Sequence, residues 1–315
     1  MQWKIVTTPD ELAEGLFGQV VLWTFEILPY LRKKNCFPAW DIKSRLYGIA
    51  PYYTVIPGVF DEAYEVSGKD VKEVRFSDLR RSHVSILGND WHYLHQLWHE
   101  YFKIPDRILE HANTVRLKQN TLGLHYRGND KNKALWDSNL VSQEDFITLT
   151  SDFLKNHPQI ECIFIATDEF SFVEYARQQF SHIDTINLGA VGFHKDGTVP
   201  KGKGDRAVLD CLLLSRCRYV IKCSSALSGF SKILNPDLEI YRVAASKLFT
   251  DIPCFPEAYI PILETENSHC REILSKQMAD DWSYGKKAGR FRTLFRTAKR
   301  HMFLKRCKKL IRKLF

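Results

Sequence analysis

The pattern of apolar and polar residues changes at about Thr121. Beyond it, short apolar runs alternate with segments whose apolar residues recur every three or four positions, which is typical of strands alternating with helices. The predicted strands cover 121–128, 162–169, 183–189, 218–225 and 238–243, and the predicted helices cover 143–157, 170–180, 206–217 and 226–234. Strands that alternate with helices form a parallel sheet with helices on both faces. The pattern therefore predicts a Rossmann-type α/β unit in this part of the chain.

The pattern before Thr121 is less regular. It predicts a glycine-containing loop leading into a helix over 14–34, short strands near 37–42 and 53–57, and a helical stretch over 90–119. The large apolar residues of that stretch are spaced to form one buried face; they are Trp91, Leu94, Leu97, Trp98 and Tyr101. We expect the tryptophans to pack in the core, where such side chains are usually found.

Polar residues follow several predicted strands at the point where each strand ends. His125, Arg127, Asn129, Asp130 and Lys131 follow the first strand, Thr167, Asp168 and Glu169 the second, and Ser224 and Ser225 the fourth. Ligands of parallel sheets collect at the carboxyl ends of the strands. We therefore expect these three segments to meet in one active-site crevice.

Each of these clusters allows two interpretations. Arg127 beside a glycine turn is suited to binding a phosphate with two hydrogen bonds, or pairs with an aspartate that pins the turn. Ser224 and Ser225 offer a phosphate their hydroxyls and the amides of the next helix, or form an ordinary helix cap. Asp210, set among leucines, accepts N–H groups from a nucleotide base or a ribose, or lies on the polar face of its helix.

Familiar cofactor motifs are missing from the sequence. Residues 202–207 match a dinucleotide fingerprint only superficially, because the polar segment DGTVPK precedes them instead of an apolar strand. No Asp-x-Asp pair is present, so we expect no metal–diphosphate clamp. Arginine, lysine and backbone amides are then left to bind a phosphate.

Charge is distributed unevenly. The chain has 315 residues and a net charge of +8, yet residues 286–315 contain 13 Lys and Arg and no acid, against 32 basic and 37 acidic residues in the remainder. Apolar residues recur at helical spacing in this tail, a pattern typical of a helix lying on an anionic membrane. Other interpretations are a nucleic-acid or partner-protein arm, or a tail packed on the body. The body itself lacks the basic excess of a nucleic-acid-binding protein.

The cysteines and the N-terminal residues bear on the compartment. The eight cysteines show no CxxC spacing, which argues against a zinc site and a disulfide framework and favours a reducing compartment. No run of about 18 apolar residues and no signal-peptide pattern is present. We expect a soluble, cytoplasmic protein bound peripherally to the cytosolic face of a membrane.

Three motifs, GLHYRGNDK, IFIATDE and LDCLLLSRCRYVIKCSSALSGFSKILNP, resemble in order those of the α1,6-/O-fucosyltransferase superfamily over about residues 121–236. The segment GLFGQ, with Gly15 and Gly18, resembles the superfamily's short glycine loop. The resemblance implies a GT-B fold, in which two Rossmann-type α/β domains face a cleft. The implied units are an acceptor-side domain over 1–119, a nucleotide-sugar domain over 120–265 and C-terminal helices over 266–315.

The resemblance also implies metal-free, inverting transfer of fucose from GDP-fucose to a glycan or glycolipid hydroxyl, without a cofactor. Arg127 would hold the β-phosphate, His125 would position the guanine, and Asp210 would accept from its edge. The implied contacts to the ribose, the diphosphate and the remaining nucleotide surface come from Asp168, Glu169, Ser224, Ser225, Lys131, Gly15 and Gly18. The catalytic candidates are Arg127, Asp130 and Asp137.

Two positions depart from the superfamily pattern. Gly128 replaces a second arginine, and Leu135 stands where a glutamate base is expected, with Asp137 as the nearest acid. These changes allow a donor other than GDP-fucose, such as another GDP-sugar, or a different acceptor hydroxyl. A sulfotransferase-like enzyme with an anionic nucleotide, and a non-enzymatic protein that binds membranes or nucleic acid through its tail, are the alternatives.

Overall fold

The computed structural model describes most of the chain up to residue 279. The described ranges are 2–8, 15–44, 46–49, 51–66, 71–83, 85, 87–128, 140–189, 202–245 and 259–279. The predicted basic tail over 286–315 lies outside them, as do Asp130, Lys131 and Asp137.

The described residues alternate between strands and helices along most of the chain. The strands are β1 (Gln2–Val6), β2 (Ala39–Lys43), β3 (Thr54–Ile56), β4 (Asp61–Glu62), β5 (Val71–Arg75), β6 (Phe102–Lys103), β7 (Thr121–Tyr126), β8 (Cys162–Thr167), β9 (Asp184–Ile186), β10 (Tyr219–Lys222) and β11 (Glu239–Arg242). The helices are α1 (Leu22–Lys33), preceded by a π-helical turn (Leu16–Val21), α2 (Phe76–His83), α3 (Trp91–Tyr101), α4 (Asp106–Thr114), α5 (Gln143–Asn156), α6 (Phe170–Gln179), α7 (Lys203–Ser215), α8 (Ala226–Leu234) and α9 (Ser268–Met278).

These strands form two main sheets, so the predicted α/β class with two units is confirmed. The first has the order β3-β2-β1-β5, with β3 antiparallel to its neighbour, and the second has the order β11-β10-β7-β8-β9 with every pair parallel. A small ladder pairs β4 with β6. None of the described helices is long and apolar enough to span a membrane.

The single helical stretch predicted over 90–119 is wrong. The chain forms α3 and α4 there, and β6 lies between them. Pro105 immediately precedes α4 and has no backbone N–H, and a proline forces the residue before it into an extended conformation. The helical spacing of α3 itself is confirmed, since Leu94, Leu97 and Trp98 are fully buried.

Helices cover both faces of the second sheet. Val220 on β10 belongs to a buried cluster with α7 and α8, whereas the next residue, Ile221, belongs to a cluster with α5, α6 and α9. Successive strand residues point to opposite faces, so each face receives its own apolar layer. This arrangement is the doubly covered parallel sheet that the strand–helix alternation predicts.

The two sheets are joined through a buried aromatic cluster. The ring of Phe230 on α8 lies 4.8 Å from that of Trp98, 5.5 Å from Phe17, 6.2 Å from Phe60 and 6.3 Å from Phe25, measured between centroids. All five side chains are at most 4% exposed. The first unit therefore packs directly on the helix that follows β10.

Candidate functional site

The strand order of the second sheet determines where a ligand site forms. The chain runs from the central strand β7 to β8 and β9 on one side, then crosses to β10 and β11 on the other. The connections leaving β7 and β10 therefore diverge, and a crevice opens at their carboxyl ends, where open α/β sheets bind ligands. Arg127 follows β7 directly, and Ser224 and Ser225 follow β10.

A crevice at this edge brings together residues from both units. His125, Arg127, Thr167, Asp168 and Asp210 line it, which are five of the residues singled out in the sequence. Its other lining residues are Tyr47, Ala166, Lys203, Arg206, Ala207 and Leu227. Cationic and anionic groups thus share one cleft, a combination suited to a ligand with both phosphates and N–H donors.

Tyr47 and Lys203 are functional candidates that the sequence did not reveal. Lys203 begins α7 and is 7% exposed, and its ammonium group lies 5.1 Å from the centre of the Tyr47 ring. At Gly204 a Cβ atom would lie only 2.3 Å from the Tyr47 carbonyl oxygen, so glycine permits this close approach. The glycine at position 204 therefore serves the packing of α7 on the first unit. This agrees with the view that residues 202–207 are not a dinucleotide-binding motif.

Asp210 has a partner within the protein. Its carboxylate accepts a hydrogen bond from Arg206 Nε at 3.0 Å, and the residue is 8% exposed. Burial raises the pKa of Asp210 to about 6, although the neighbouring Arg206 charge and hydrogen bond favour the ionised form. Arg206, one helical turn away, is thus a partner for this carboxylate beside the ligand contact and the polar helix face that the sequence left open.

His125 is held at the crevice by α8. One of its ring nitrogens, Nδ1, lies 2.8 Å from the Ser228 hydroxyl oxygen, and the residue is 5% exposed. Ser225 stands at the cap position of α8, but its side chain makes no capping hydrogen bond in the described structure. Leu227, in the first turn of α8, lines the crevice, so this helix begins at its edge. Helix N-termini attract anions through their free amides.

Glu169 lies against Gly128 and is not among the lining residues. A Cβ atom at Gly128 would be 2.2 Å from Glu169 Oε1, and the Glu169 carboxylate accepts a hydrogen bond from Gln143 Nε2 at 2.8 Å. The space that a second arginine side chain would need is therefore occupied by Glu169. This contact gives a physical reason for the glycine at position 128.

The glycine loop lies beside α8, and neither Gly15 nor Gly18 is among the lining residues of the crevice. Gly15 has φ +72° and precedes the π-helical turn, in which Gly18 lies. That turn contacts α8, with Phe17 against Phe230. Ser224 and Ser225 are buried at the start of the same helix. Of the described residues, no group of three or more His, Cys, Asp and Glu side chains is arranged to hold a metal ion.

Comparisons with known proteins give structural likeness alone. No protein-family model and no curated protein matches the chain. Similar solved structures include the NodZ alpha-1,6-fucosyltransferase soaked with GDP-fucose, with a TM-score of 0.45 and 14% identity over 75% of this chain and 94% of that one. POFUT1 in complex with GDP-fucose has a TM-score of 0.37 and 10% identity, over 76% and 73% of the two chains. FUT1 of Arabidopsis thaliana in complex with GDP has a TM-score of 0.37 and 10% identity, over 78% and 52%.

The first of these structures is named as an alpha-1,6-fucosyltransferase, and the three sequence motifs resemble those of the α1,6-/O-fucosyltransferase superfamily.

Proposed function

We propose that the protein is an inverting, metal-independent glycosyltransferase that moves fucose from GDP-fucose to a hydroxyl of a glycan. The observation that carries the proposal is that Arg127 and Asp210 both line one crevice, at the carboxyl ends of β7 and its neighbours. An arginine fork suits a diphosphate, and a carboxylate suits the N–H edge of guanine. The order of the three sequence motifs supports the same donor.

In the proposed reaction, the bond between the anomeric carbon and the diphosphate oxygen breaks. The acceptor oxygen bonds to that carbon from the opposite face, so its configuration inverts. Arg127 stabilises the negative charge that develops on the departing GDP, with Lys203 as a second cation in the crevice. The acceptor hydroxyl gives its proton to a carboxylate, for which we propose Asp137, and Asp130 is the other acidic catalytic candidate.

Another GDP-hexose is the second candidate donor. The contact between Gly128 and Glu169 favours it, because the crevice then offers one arginine at this strand end where the superfamily often has two. Parallel assays with GDP-fucose and GDP-mannose separate the two donors by the ratio of their kcat/KM values.

A panel of nucleotides tests the proposal. At about 100 Kd of ligand, binding to the native state stabilises a protein by roughly 2.7 kcal/mol, which thermal unfolding detects. We expect GDP and GDP-fucose to raise Tm, and UDP, ADP and 3′-phosphoadenosine 5′-phosphate to leave it unchanged. Stabilisation by the adenosine bisphosphate instead of GDP would support the sulfotransferase-like alternative, and stabilisation by none would support the non-enzymatic one.

The acceptor and the location form the last part of the proposal. The 13 basic residues of 286–315 would attract an anionic leaflet by roughly 1 kcal/mol each when close to the surface. We propose that this tail brings the enzyme to a lipid-linked or surface glycan at the cytosolic face. Deleting 286–315 should abolish binding to anionic liposomes and leave GDP affinity unchanged. Continued sedimentation with liposomes, or lost GDP binding, contradicts this role.

A further inference from the structure

All three guanidinium nitrogens of Arg206 donate hydrogen bonds to groups of the protein. Nε donates to Asp210, Nη1 donates to the Leu188 carbonyl at 2.5 Å, and Nη2 donates to the Gly189 carbonyl at 2.6 Å. The two carbonyls belong to the loop after β9, and Asp210 belongs to α7. One side chain therefore ties a helix to a loop at the wall of the crevice. Because its three nitrogens already donate to protein groups, a phosphate is not its natural ligand.

The loop that receives Arg206 is itself anchored to the sheet. Asn187 Nδ2 donates to the Ile165 carbonyl of β8 at 2.7 Å, and Asn187 Oδ1 accepts from the Gly189 amide at 2.8 Å. The guanidinium group is thus bound to a fixed partner on one side. A fixed guanidinium group orients whatever it binds on its other side.

The Asp210 carboxylate is what Arg206 orients. Its Oδ1 accepts the Arg206 hydrogen bond, and Asp210 and Arg206 both line the crevice. Oδ2 is therefore the oxygen left for a ligand. A buried carboxylate with one oxygen bound to an arginine keeps its acceptor capacity for an N–H donor.

We propose that Arg206 is a positioning residue for nucleotide recognition, which keeps the Asp210 carboxylate ionised and turned so that Oδ2 accepts an N–H group of the bound base. The inference rests on the function proposed above, because a guanine nucleotide is taken as the ligand. Arg206 acts through Asp210 and touches no reacting atom.

The charges around Asp210 decide how strongly its ionisation depends on Arg206. Lys203 faces the same crevice from α7, Arg127 and His125 face it from β7, and Asp168 faces it from the end of β8. Arg206 is the group whose hydrogen bond and charge act on Asp210 against burial. Replacing Arg206 by an uncharged residue leaves burial dominant, and the carboxyl group then stays protonated to higher pH.

The pH dependence of GDP affinity tests the proposal in the full chain. In the wild type we expect affinity to weaken as pH falls through about 6, because Asp210 becomes protonated. In Arg206→Met the same weakening should begin more than one pH unit higher, so that GDP binds at least about fivefold more weakly than to the wild type at pH 6 and within about twofold of wild type at pH 8.5. Any change in the protonation of GDP over this pH range affects all variants equally, so the difference between variants reports on the protein.

Two further variants separate charge from packing. Arg206→Lys keeps the positive charge and should restore most of the wild-type profile. Asp210→Asn should bind GDP weakly at neutral pH and should lack the transition near pH 6, because it has no carboxyl group to protonate. Arg177→Met, which removes an exposed arginine paired with Glu174 on α6, is the matched control and should follow the wild type. A loss of affinity in Arg206→Met by the same factor at all pH values overturns the positioning role.

A measurement without nucleotide keeps this inference distinct from the proposed function. In the free protein with 13C-labelled aspartate carboxyl groups, the signal missing from Asp210→Asn should titrate near pH 6, and more than one unit higher in Arg206→Met. An unchanged titration in Arg206→Met contradicts the inference. If the wild type binds no GDP at any pH, the proposed function fails, and this titration alone then decides whether Arg206 controls Asp210.

Discussion

The two units contribute unequally to the lining of the candidate site. All six residues of β7 and all six of β8 are buried, and the chain then presents Arg127 and Asp168 at the edge of the second sheet. The first unit contributes one described lining residue, Tyr47, which lies in the connection between β2 and the antiparallel strand β3. The charged lining residues therefore all come from the second unit, at the ends of β7 and β8 and on α7, and the first unit supplies an aromatic ring. The second unit thus holds the candidate chemistry, and packing between the two units adds Tyr47 to the lining, against Lys203.

Replacing Phe230 by alanine should have the largest effect on stability, because it removes the side chain that joins both units. Loss of a fully buried phenylalanine typically costs about 3–5 kcal/mol. Urea denaturation should show that decrease in the free energy of unfolding, whereas Phe170→Ala, which truncates a ring that is 66% exposed, should change it little. Equal effects of the two variants would mean that the aromatic cluster does not join the units.

Replacing Arg127 by alanine should lower the rate of sugar transfer and leave the fold intact. Loss of one preorganised group that stabilises transition-state charge costs about 10²–10³ in rate, and lysine should rescue poorly because it lacks the planar fork. The matched control is Arg218→Ala at the opposite edge of the same sheet, where the arginine pairs with Glu239 at 2.8 Å. Turnover of folded Arg127→Ala within about threefold of wild type contradicts the role of Arg127.

Replacing Gly128 by alanine should have a moderate effect on stability. The new Cβ atom displaces the Glu169 carboxylate and breaks its hydrogen bond from Gln143, which costs about 1 kcal/mol. In a Gln143→Ala background that hydrogen bond is already absent, so the same substitution should cost clearly less. A double-mutant cycle by urea denaturation measures the difference, and strict additivity would show that Glu169 does not fill this space.

Chelation should have the smallest effect, because the proposed reaction stabilises the leaving diphosphate with Arg127 and Lys203. We expect transfer from GDP-fucose to proceed at an unchanged rate in EDTA. Near-complete loss of activity that added Mn²⁺ or Mg²⁺ restores would contradict a metal-free mechanism.

The fold of the second unit was predictable because its signals are local. The strands β7, β8 and β10 are short runs in which every residue is buried, and α8 has the predicted bounds 226–234. The predicted strand over 183–189 is longer than β9, since residues 187–189 form the loop that Arg206 binds. That contact joins residues 17 or more positions apart, and periodicity along the chain does not report it.

The candidate site was predictable in part for the same reason. His125, Arg127, Asp168 and Asp210 lie on strand ends or on a helix next to them, where sheet topology gathers polar groups. Arg206 carries a signal in the sequence, since it stands four residues before Asp210 on one helix. Tyr47 carries none, because packing between the two units brings it to the crevice.

A crystal structure of the full chain with bound GDP tests the central claim most directly. The account predicts the β-phosphate within about 3 Å of the Arg127 guanidinium group, and the guanine edge within the same distance of the Asp210 carboxylate. GDP bound away from the carboxyl ends of β7 and β10, or bound there without a contact to Arg127, would contradict it.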